Sequence, residues 1–308
     1  MLFGLFARDP KPFDAGWLAV GGGHEIYYHQ YGRTDGPVVL CFHGGPGSSS
    51  KARHAATYGT SKNRVILFDQ RGCGKSRFKD LLAHNTTADL LSDAEKLLSH
   101  LNVRGKITVA GGSWGSAMAV LFAQKNPALV SRIIISMVFI ARPHDWVWPL
   151  ACARTYYPDM VDELEKDYRG KSVEEYYSKL LGSGRRADAL AAVKYYANLE
   201  FMLGSVEPKF ELPPKEKIDD AIKSFKIYMH YILSNGFLRP NQILADAKKI
   251  AHIPCDMVHN RLDMVCPMEG VWALHKALPK SKLVIVPDHG HWSEELIEKL
   301  KKIARGKK

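Results

Sequence analysis

No uninterrupted apolar stretch in the 308 residues reaches the roughly eighteen needed to cross a bilayer as a helix, so a membrane span is not expected. The opening segment, MLFGLFARDPKPFD, starts apolar, but Arg8, Asp9 and Lys11 break it before the core of a secretory signal could form. Cysteine is scarce and dispersed: Cys41, Cys73, Cys152, Cys255 and Cys266 form no C-x-x-C pair. That spacing argues against a disulfide framework and a zinc site, and it fits a reducing cytoplasm. Acidic residues are also in deficit, 32 against 43 lysines and arginines, for a formal charge of +11. The surplus is spread along the chain, apart from Lys248-Lys249 and the terminal Lys299, Lys301, Lys302, Arg305, Lys307 and Lys308. A solvated basic surface accounts for it, and no specific nucleic-acid or membrane partner is expected.

What is present is the composition of a globular enzyme-sized chain, 46% hydrophobic and 24% charged, long enough to bury a full core. HEIYYHQY at 24–31 reads as a strand. PVVLCF at 37–42 and RVILFD at 64–69 are nearly continuous apolar runs of strand length, each leading into a glycine-rich loop. KITVAG at 106–111 and VSRIIIS at 130–136 repeat the pattern. IPCDMV at 253–258 and KLVIVP at 282–287 do so again. Between them, Leu90, Leu91, Ala94, Leu97, Leu98 and Leu101 recur at helical spacing. Another helix is predicted from Gly115 to near Asn126-Pro127, a third over Glu269 to Ala277, and a last one capped by Ser293. Buried strands alternating with helices predict an α/β fold: a mostly parallel central sheet flanked by helices.

Residues 141–245 break this rhythm, being rich in Trp, Tyr, Glu and Lys, with helical stretches such as VDELEKDY and VEEYYSKLL and no convincing buried strand. An insertion between strands of a parallel sheet naturally sits over its active-site edge. The expected organisation is therefore a catalytic domain from residues 1–140 and 246–308, interrupted by a helical cap at 141–245.

The strongest chemical signal is Gly111-Gly112-Ser113-Trp114-Gly115, a G-x-S-x-G sequence between a predicted strand and a predicted helix. There the glycines allow a sharp turn that exposes the serine hydroxyl as a nucleophile. Serine needs a base, and the base an orienting acid, in the chain order Ser, acid, His. Asp263 lies in a loop leaving the sheet edge, whereas Asp256 falls inside a predicted strand, so Asp263 is the expected acid. Both His289 and His291 follow the last strand, and spacing alone leaves the base open between them.

Acyl transfer also requires donors for a developing oxyanion. The amide of Gly45, in His43-Gly44-Gly45-Pro46-Gly47, and that of Trp114 at the helix start are placed to supply them. Neither this loop nor Gly72-Cys73-Gly74-Lys75-Ser76 has the G-x-x-x-x-G-K-[ST] spacing of a nucleotide-binding loop. An acyl-enzyme mechanism built from these groups needs no metal or organic cofactor.

The segments FDAGWL, HGGPGSS, ILFDQRGCGKS, HNTTADLLSD, GGSWGSAMAVLFAQKNP, NRLDMVCP and HGHW together resemble the prolyl aminopeptidase (proline iminopeptidase) family of α/β-hydrolase serine peptidases. The resemblance runs from about Phe13 to the last helix. It implies Ser113 as nucleophile, Asp263 as acid in the counterpart of G-R-Y-D-x-x-C-P, His291 as base, and the Gly45 and Trp114 amides as oxyanion donors. Members release an unblocked amino-terminal proline whose ammonium group is bound by cap carboxylates. Glu200 resembles one of these, although Leu199 replaces its usual Trp neighbour. The second carboxylate is missing: Tyr228 stands at its position in Lys226-Ile227-Tyr228-Met229-His230-Tyr231.

The expected activity is an aminopeptidase-like amidase that releases a small amino-terminal residue, proline included, from peptides or arylamides. A carboxylic-ester hydrolase using the same acyl-enzyme steps is the alternative, and a noncatalytic protein that kept the scaffold is a third reading. Dehalogenase and epoxide-hydrolase chemistry is disfavoured because those relatives carry Asp at the elbow, where this chain has Ser113.

Overall fold

The computed structural model describes residues 9–170, 172–204 and 214–306; the apolar opening and the last two lysines lie outside them. Within the described residues the strands are β1 (Asp14–Gly21), β2 (His24–Gly32), β3 (Val38–Phe42), β4 (Arg64–Phe68), β5 (Arg77–Phe78), β6 (Ile107–Ser113), β7 (Val130–Val138), β8 (Cys255–Asn260) and β9 (Ser281–Val286). They form one mixed sheet in the order β1-β2-β4-β3-β6-β7-β8-β9, with β5 beside β2. From β4 to β9 every neighbouring pair is parallel, while β1, β2 and β5 add an antiparallel edge. This is the α/β-hydrolase architecture, and all the predicted strands fall within it.

The helices are α1 (Ala52–Thr57), α2 (Thr87–His100), α3 (Trp114–Lys125), α4 (Pro143–Tyr156), α5 (Pro158–Glu165), α6 (Val173–Gly182), α7 (Arg186–Gly204), α8 (Ile218–Leu233), α9 (Gln242–Ala245), α10 (Met268–Ala277) and α11 (Glu294–Ala304). Helix α2 starts at a reciprocal cap. Thr86 Oγ1 accepts from the Asp89 amide at 3.3 Å, and the Asp89 carboxylate takes the Thr86 amide at 3.0 Å. Its Leu90, Ala94, Leu97 and Leu98 then share one buried face. Ser293 caps α11 as predicted, accepting from the Leu296 amide at 3.1 Å.

Helices α4 to α8 are inserted between β7 and β8 and bury their own core around Tyr177, Val193, Tyr196, Met202, Phe225 and Met229. Helix α8 serves two cores: Phe225 and Met229 face the insertion, whereas Ile227 and Tyr231 pack into the main one. The Tyr231 hydroxyl also donates to Asn85 Oδ1 at 3.1 Å. A methyl placed on Gly47 would meet the Ser224 carbonyl at 2.4 Å. Helix α8 therefore lies directly against the HGGPG loop and holds the insertion over the carboxyl edge of the sheet.

Candidate active site

Strand β6 runs straight into α3, and Ser113 sits at the junction with φ 56° and ψ −129°. This left-handed backbone is costly for a residue with a side chain, by about 1–3 kcal/mol, and the glycines around it show what enforces it. A Cβ on Gly111 would lie 2.2 Å from the Gly115 carbonyl, and one on Gly115 would lie 2.2 Å from the carbonyl of Phe42. The turn is thus wedged against the end of β3. Its third support is Ser116, whose hydroxyl donates to the Ser113 carbonyl at 2.6 Å and accepts the Phe139 amide at 2.8 Å.

Asp263 is buried three residues beyond β8. One carboxylate oxygen accepts the amides of Val265 and Cys266, at 2.9 and 2.8 Å, and both oxygens receive His291 Nδ1, at 2.9 and 3.0 Å. That contact fixes the proton on Nδ1 and leaves Nε2 as the free basic nitrogen. Burial would push His291 down, but the charge and hydrogen bond of Asp263, joined by the charge of Glu200, hold its pKa above the ordinary value. Burial likewise opposes ionisation of Asp263. His291, His259 and the Cys266 amide outweigh it and keep the carboxyl below its usual range.

His289, the other sequence candidate for the base, points away: its ring is 42% exposed and lies 3.8 Å from Glu295. Asp256 is also elsewhere, pairing with Arg132 at 2.7 Å. Acid and base candidates are therefore brought together, whereas the Ser113 hydroxyl lies against the Cys266 thiol and makes no hydrogen bond to His291.

Two residues near the acid escaped sequence reasoning. His259 accepts the Val138 amide on Nδ1 at 2.9 Å, so Nε2 carries its proton and donates to the Cys266 carbonyl at 3.1 Å, with Asp263 Oδ2 3.6 Å away. Burial lowers its pKa and keeps the ring neutral. Asn260 links the Asp263 loop to the His291 loop through the Gly290 carbonyl at 2.6 Å. A histidine and an asparagine at the end of a strand carry no distinctive spacing; only the partners identify these roles.

The HGGPG loop packs against the elbow: a methyl on Gly44 would sit 3.5 Å from Ser113 Cβ. Gly45 is exposed with φ 118°, while Trp114 is fully buried beside Tyr231 and Trp146. On the cap side, the Glu200 side chain is reached by water, yet protein surrounds it closely enough for burial to raise its carboxyl, partly offset by His291. Each of the two charges acts on the other, so the carboxylate lies near the histidine. Burial raises the Tyr228 phenol too, reinforced by the charge of Glu200, so Tyr228 stands near that carboxylate. Tyr196 lies 5.9 Å from Tyr228, ring to ring. Two cap cavities, of about 430 and 320 Å³, have none of these catalytic candidates in their linings.

Among the described residues, two groups of side chains bring metal-capable atoms within 4.8 Å of one another: Asp263, Cys266 and His291, and His144, Asp145 and Glu269. In the first, burial keeps the thiol protonated and Asp263 is already saturated by His291 and two amides. In the second, Arg142 takes Asp145 at 2.6 Å and Glu269 at 2.5 Å. Both donor sets are committed to protein partners.

Residues 37–295 match the model of the alpha/beta hydrolase fold family. The chain is 37% identical over 287 residues to a probable proline iminopeptidase of Leptolyngbya boryana, covering 91% of this chain and 89% of that one. It is 36% identical over 293 residues to a proline iminopeptidase of Arabidopsis thaliana, covering 92% and 77%. Among solved structures it is similar to a thermophilic esterase from Thermogutta terrifontis, with a TM-score of 0.62 and 21% identity over 95% of this chain and 96% of that one.

Proposed function

The chain belongs to the proline iminopeptidase family of α/β hydrolases and is a serine hydrolase, and from that premise we propose that Ser113, Asp263 and His291 act as nucleophile, orienting acid and base. The observation that carries this is the two-oxygen grip of Asp263 on His291 Nδ1, which leaves Nε2 free at the edge where the elbow presents Ser113. In the proposed reaction the Ser113 hydroxyl leaves the Cys266 thiol and turns to Nε2. Such contacts often close only with substrate bound.

His291 then takes the hydroxyl proton as Ser113 Oγ attacks the substrate carbonyl, and the Gly45 and Trp114 amides bind the oxyanion. The imidazolium returns the proton to the departing amine. Water, deprotonated by the same nitrogen, adds to the acyl-enzyme and releases Ser113. Asp263 stays ionised throughout and stabilises the charged ring.

The substrate we infer is a peptide or arylamide with a small, free amino-terminal residue, proline included. Glu200 supplies the carboxylate for its ammonium group, with Tyr228 nearby. A charged group removed from bulk water needs such a partner. That Tyr228 offers no second carboxylate favours one further reading, hydrolysis of small acyl esters. The proposed division is a catalytic body at 1–140 and 246–308 and a cap at 141–245, with α9 at the seam because Ile243 packs into the main core. Five buried, unpaired cysteines support a cytoplasmic location.

The deciding experiment compares kcat/KM for proline arylamide, its N-acetyl form and a short-chain aryl ester, with Ser113→Ala as background. Turnover of the free amine that collapses on acetylation supports the aminopeptidase. Ester turnover without it transfers the assignment to the esterase.

A further inference from the structure

Gln70 follows β4 and is 2% exposed, with every polar group engaged. Its amide donates to His43 Nε2 at 3.0 Å, and its side-chain Nε2 donates to the His43 carbonyl at 2.9 Å. Its Oε1 accepts the Trp114 indole N–H at 3.1 Å. Because His43 Nε2 is an acceptor, the ring proton is on Nδ1, which donates to the Gly44 carbonyl at 2.8 Å. One side chain thus joins the peptide that leads into Gly44-Gly45 to the side chain of Trp114, the two segments that carry the oxyanion donors proposed above. The preceding residue closes the other end of the loop: Asp69 Oδ1 accepts the Ser50 amide at 2.8 Å and the Ser50 hydroxyl at 2.7 Å. Asp69 and Gln70 therefore clamp residues 43–50 at both ends.

We propose that Gln70 is a positioning residue for catalysis, fixing the distance between the Gly45 and Trp114 amides through its bonds to the His43 carbonyl and the Trp114 indole. It touches no substrate atom. The inference rests on the reading of those two amides as the oxyanion hole. Two donors help a tetrahedral oxyanion only while both point at one spot, and small misplacements are costly because the hydrogen bonds are directional. Glutamine suits the task because it offers a donor and an acceptor on one planar group. Glutamate in its place would keep the acceptor for Trp114 but set a carboxylate against the His43 carbonyl. Methionine would fill the space and make neither bond.

The test uses Gln70→Met and Gln70→Glu in the full chain, with three readouts: kcat and KM for an aryl ester, the inhibition constant of an alkylboronic acid, and that of the matching uncharged amide. The boronic acid adds Ser113 Oγ to boron and places a tetrahedral boronate oxygen in the hole, whereas the amide is a ground-state ligand. The expected result is a fall in kcat of about 10- to 100-fold and a matching loss of boronate affinity. KM and amide affinity should stay within about threefold, and the acid-limb midpoint of the pH profile should not move, because the Asp263–His291 pair is untouched. Boronate binding as tight in both variants as in the wild type overturns the inference, as does equal weakening of boronate and amide. If the wild type itself binds boronate no better than amide, the serine-hydrolase site assignment fails instead. Should Gln70→Met not fold, Trp114→Phe removes the indole donor together with part of the packing against Tyr231 and Trp146, a loss that would weaken boronate and amide alike. It must then reproduce the selective loss of boronate affinity, and its absence counts against the proposal.

Discussion

The Asn260 side chain donates to the carbonyl of Gly290 at 2.6 Å, and its oxygen accepts the Ser293 hydroxyl at 3.2 Å. It stands where the resembled G-R-Y-D motif has glycine, and it ties the strand that leads to Asp263 to the residue immediately before His291. A buried side chain with both ends bonded is costly to remove because its partners are left unsatisfied. Asn260→Ala is expected to lower unfolding free energy by about 2 kcal/mol, read from the urea midpoint. Displacement of the His291 loop should also reduce kcat/KM by roughly tenfold or more. Unchanged activity at reduced stability would make the bridge purely structural.

Asp263→Asn separates charge from shape. The amide can still fill the site, but it cannot hold the His291 proton on Nδ1 as a carboxylate does, and kcat should fall by about a thousandfold or more. The charge of Asp263 is also the leading influence that raises His291, so the acid-limb midpoint of any residual activity should move to lower pH. Linkage gives a second check. The raised His291 pKa contributes stability below its unfolded value of about 6.5, lost as pH rises through the folded one; the depressed Asp263 pKa contributes above about 3.9, lost as pH falls. The stability gap between wild type and variant should therefore be widest between about pH 4 and 6.5. Denaturant midpoints across pH 3–9 would show it.

The inner strands were legible because a strand covered on both faces reads as an unbroken apolar run; VVLCF of β3 and RVILF of β4 are examples. Strand β1 was not, since it lies at the sheet edge with Trp17 44% exposed, and β5 has only two residues, too few for any period. The elbow was legible because steric need writes glycine into the sequence at fixed offsets. Gln70, His259 and Asn260 were not, because a hydrogen-bond partner 27 or more residues away leaves no local pattern. The choice between His289 and His291 was open on spacing alone, since both follow β9 within a few residues and only the fold turns one ring toward Asp263.

Gly115→Ala tests the elbow by packing alone. The new methyl would lie 2.2 Å from the Phe42 carbonyl and 2.9 Å from that of His43, both backbone atoms that cannot swing aside. The turn must open, displacing Ser113 from the edge of the sheet. The expected cost is about 3 kcal/mol in stability, with loss of fluorophosphonate labelling even in the fraction that remains folded by circular dichroism. Normal labelling would show that the turn has slack absent from this geometry.

Glu200→Gln should divide substrates by charge. If Glu200 is the partner proposed for a free amine, removing its carboxylate costs that substrate a contact that an ester does not use. Turnover of proline arylamide is expected to drop by about 10- to 100-fold while that of an aryl ester stays within about threefold. Because the charge of Glu200 also raises His291, the acid limb for the ester should shift downward in pH. Equal losses on both substrates would remove Glu200 from ammonium recognition.

Tyr228→Glu puts back the carboxylate that the resembled family has at this position. Burial and the charges of Glu200 and Glu174, which raise the Tyr228 phenol, would act on a carboxyl there in the same sense, favouring its protonated form. The added charge would thus be present only at higher pH, or when an ammonium group arrives to share it. The ratio of kcat/KM for proline arylamide to that for the aryl ester should therefore exceed the wild-type ratio, and the excess should grow from pH 6 upward until the substrate amine itself loses its proton. A shape effect would change the ratio equally at all pH values. If the ratio falls instead, the phenol of Tyr228 is itself part of substrate recognition and selects for something other than a second positive-charge contact. Measuring both substrates at four or five pH values, with Tyr228→Gln as the uncharged control, separates these outcomes.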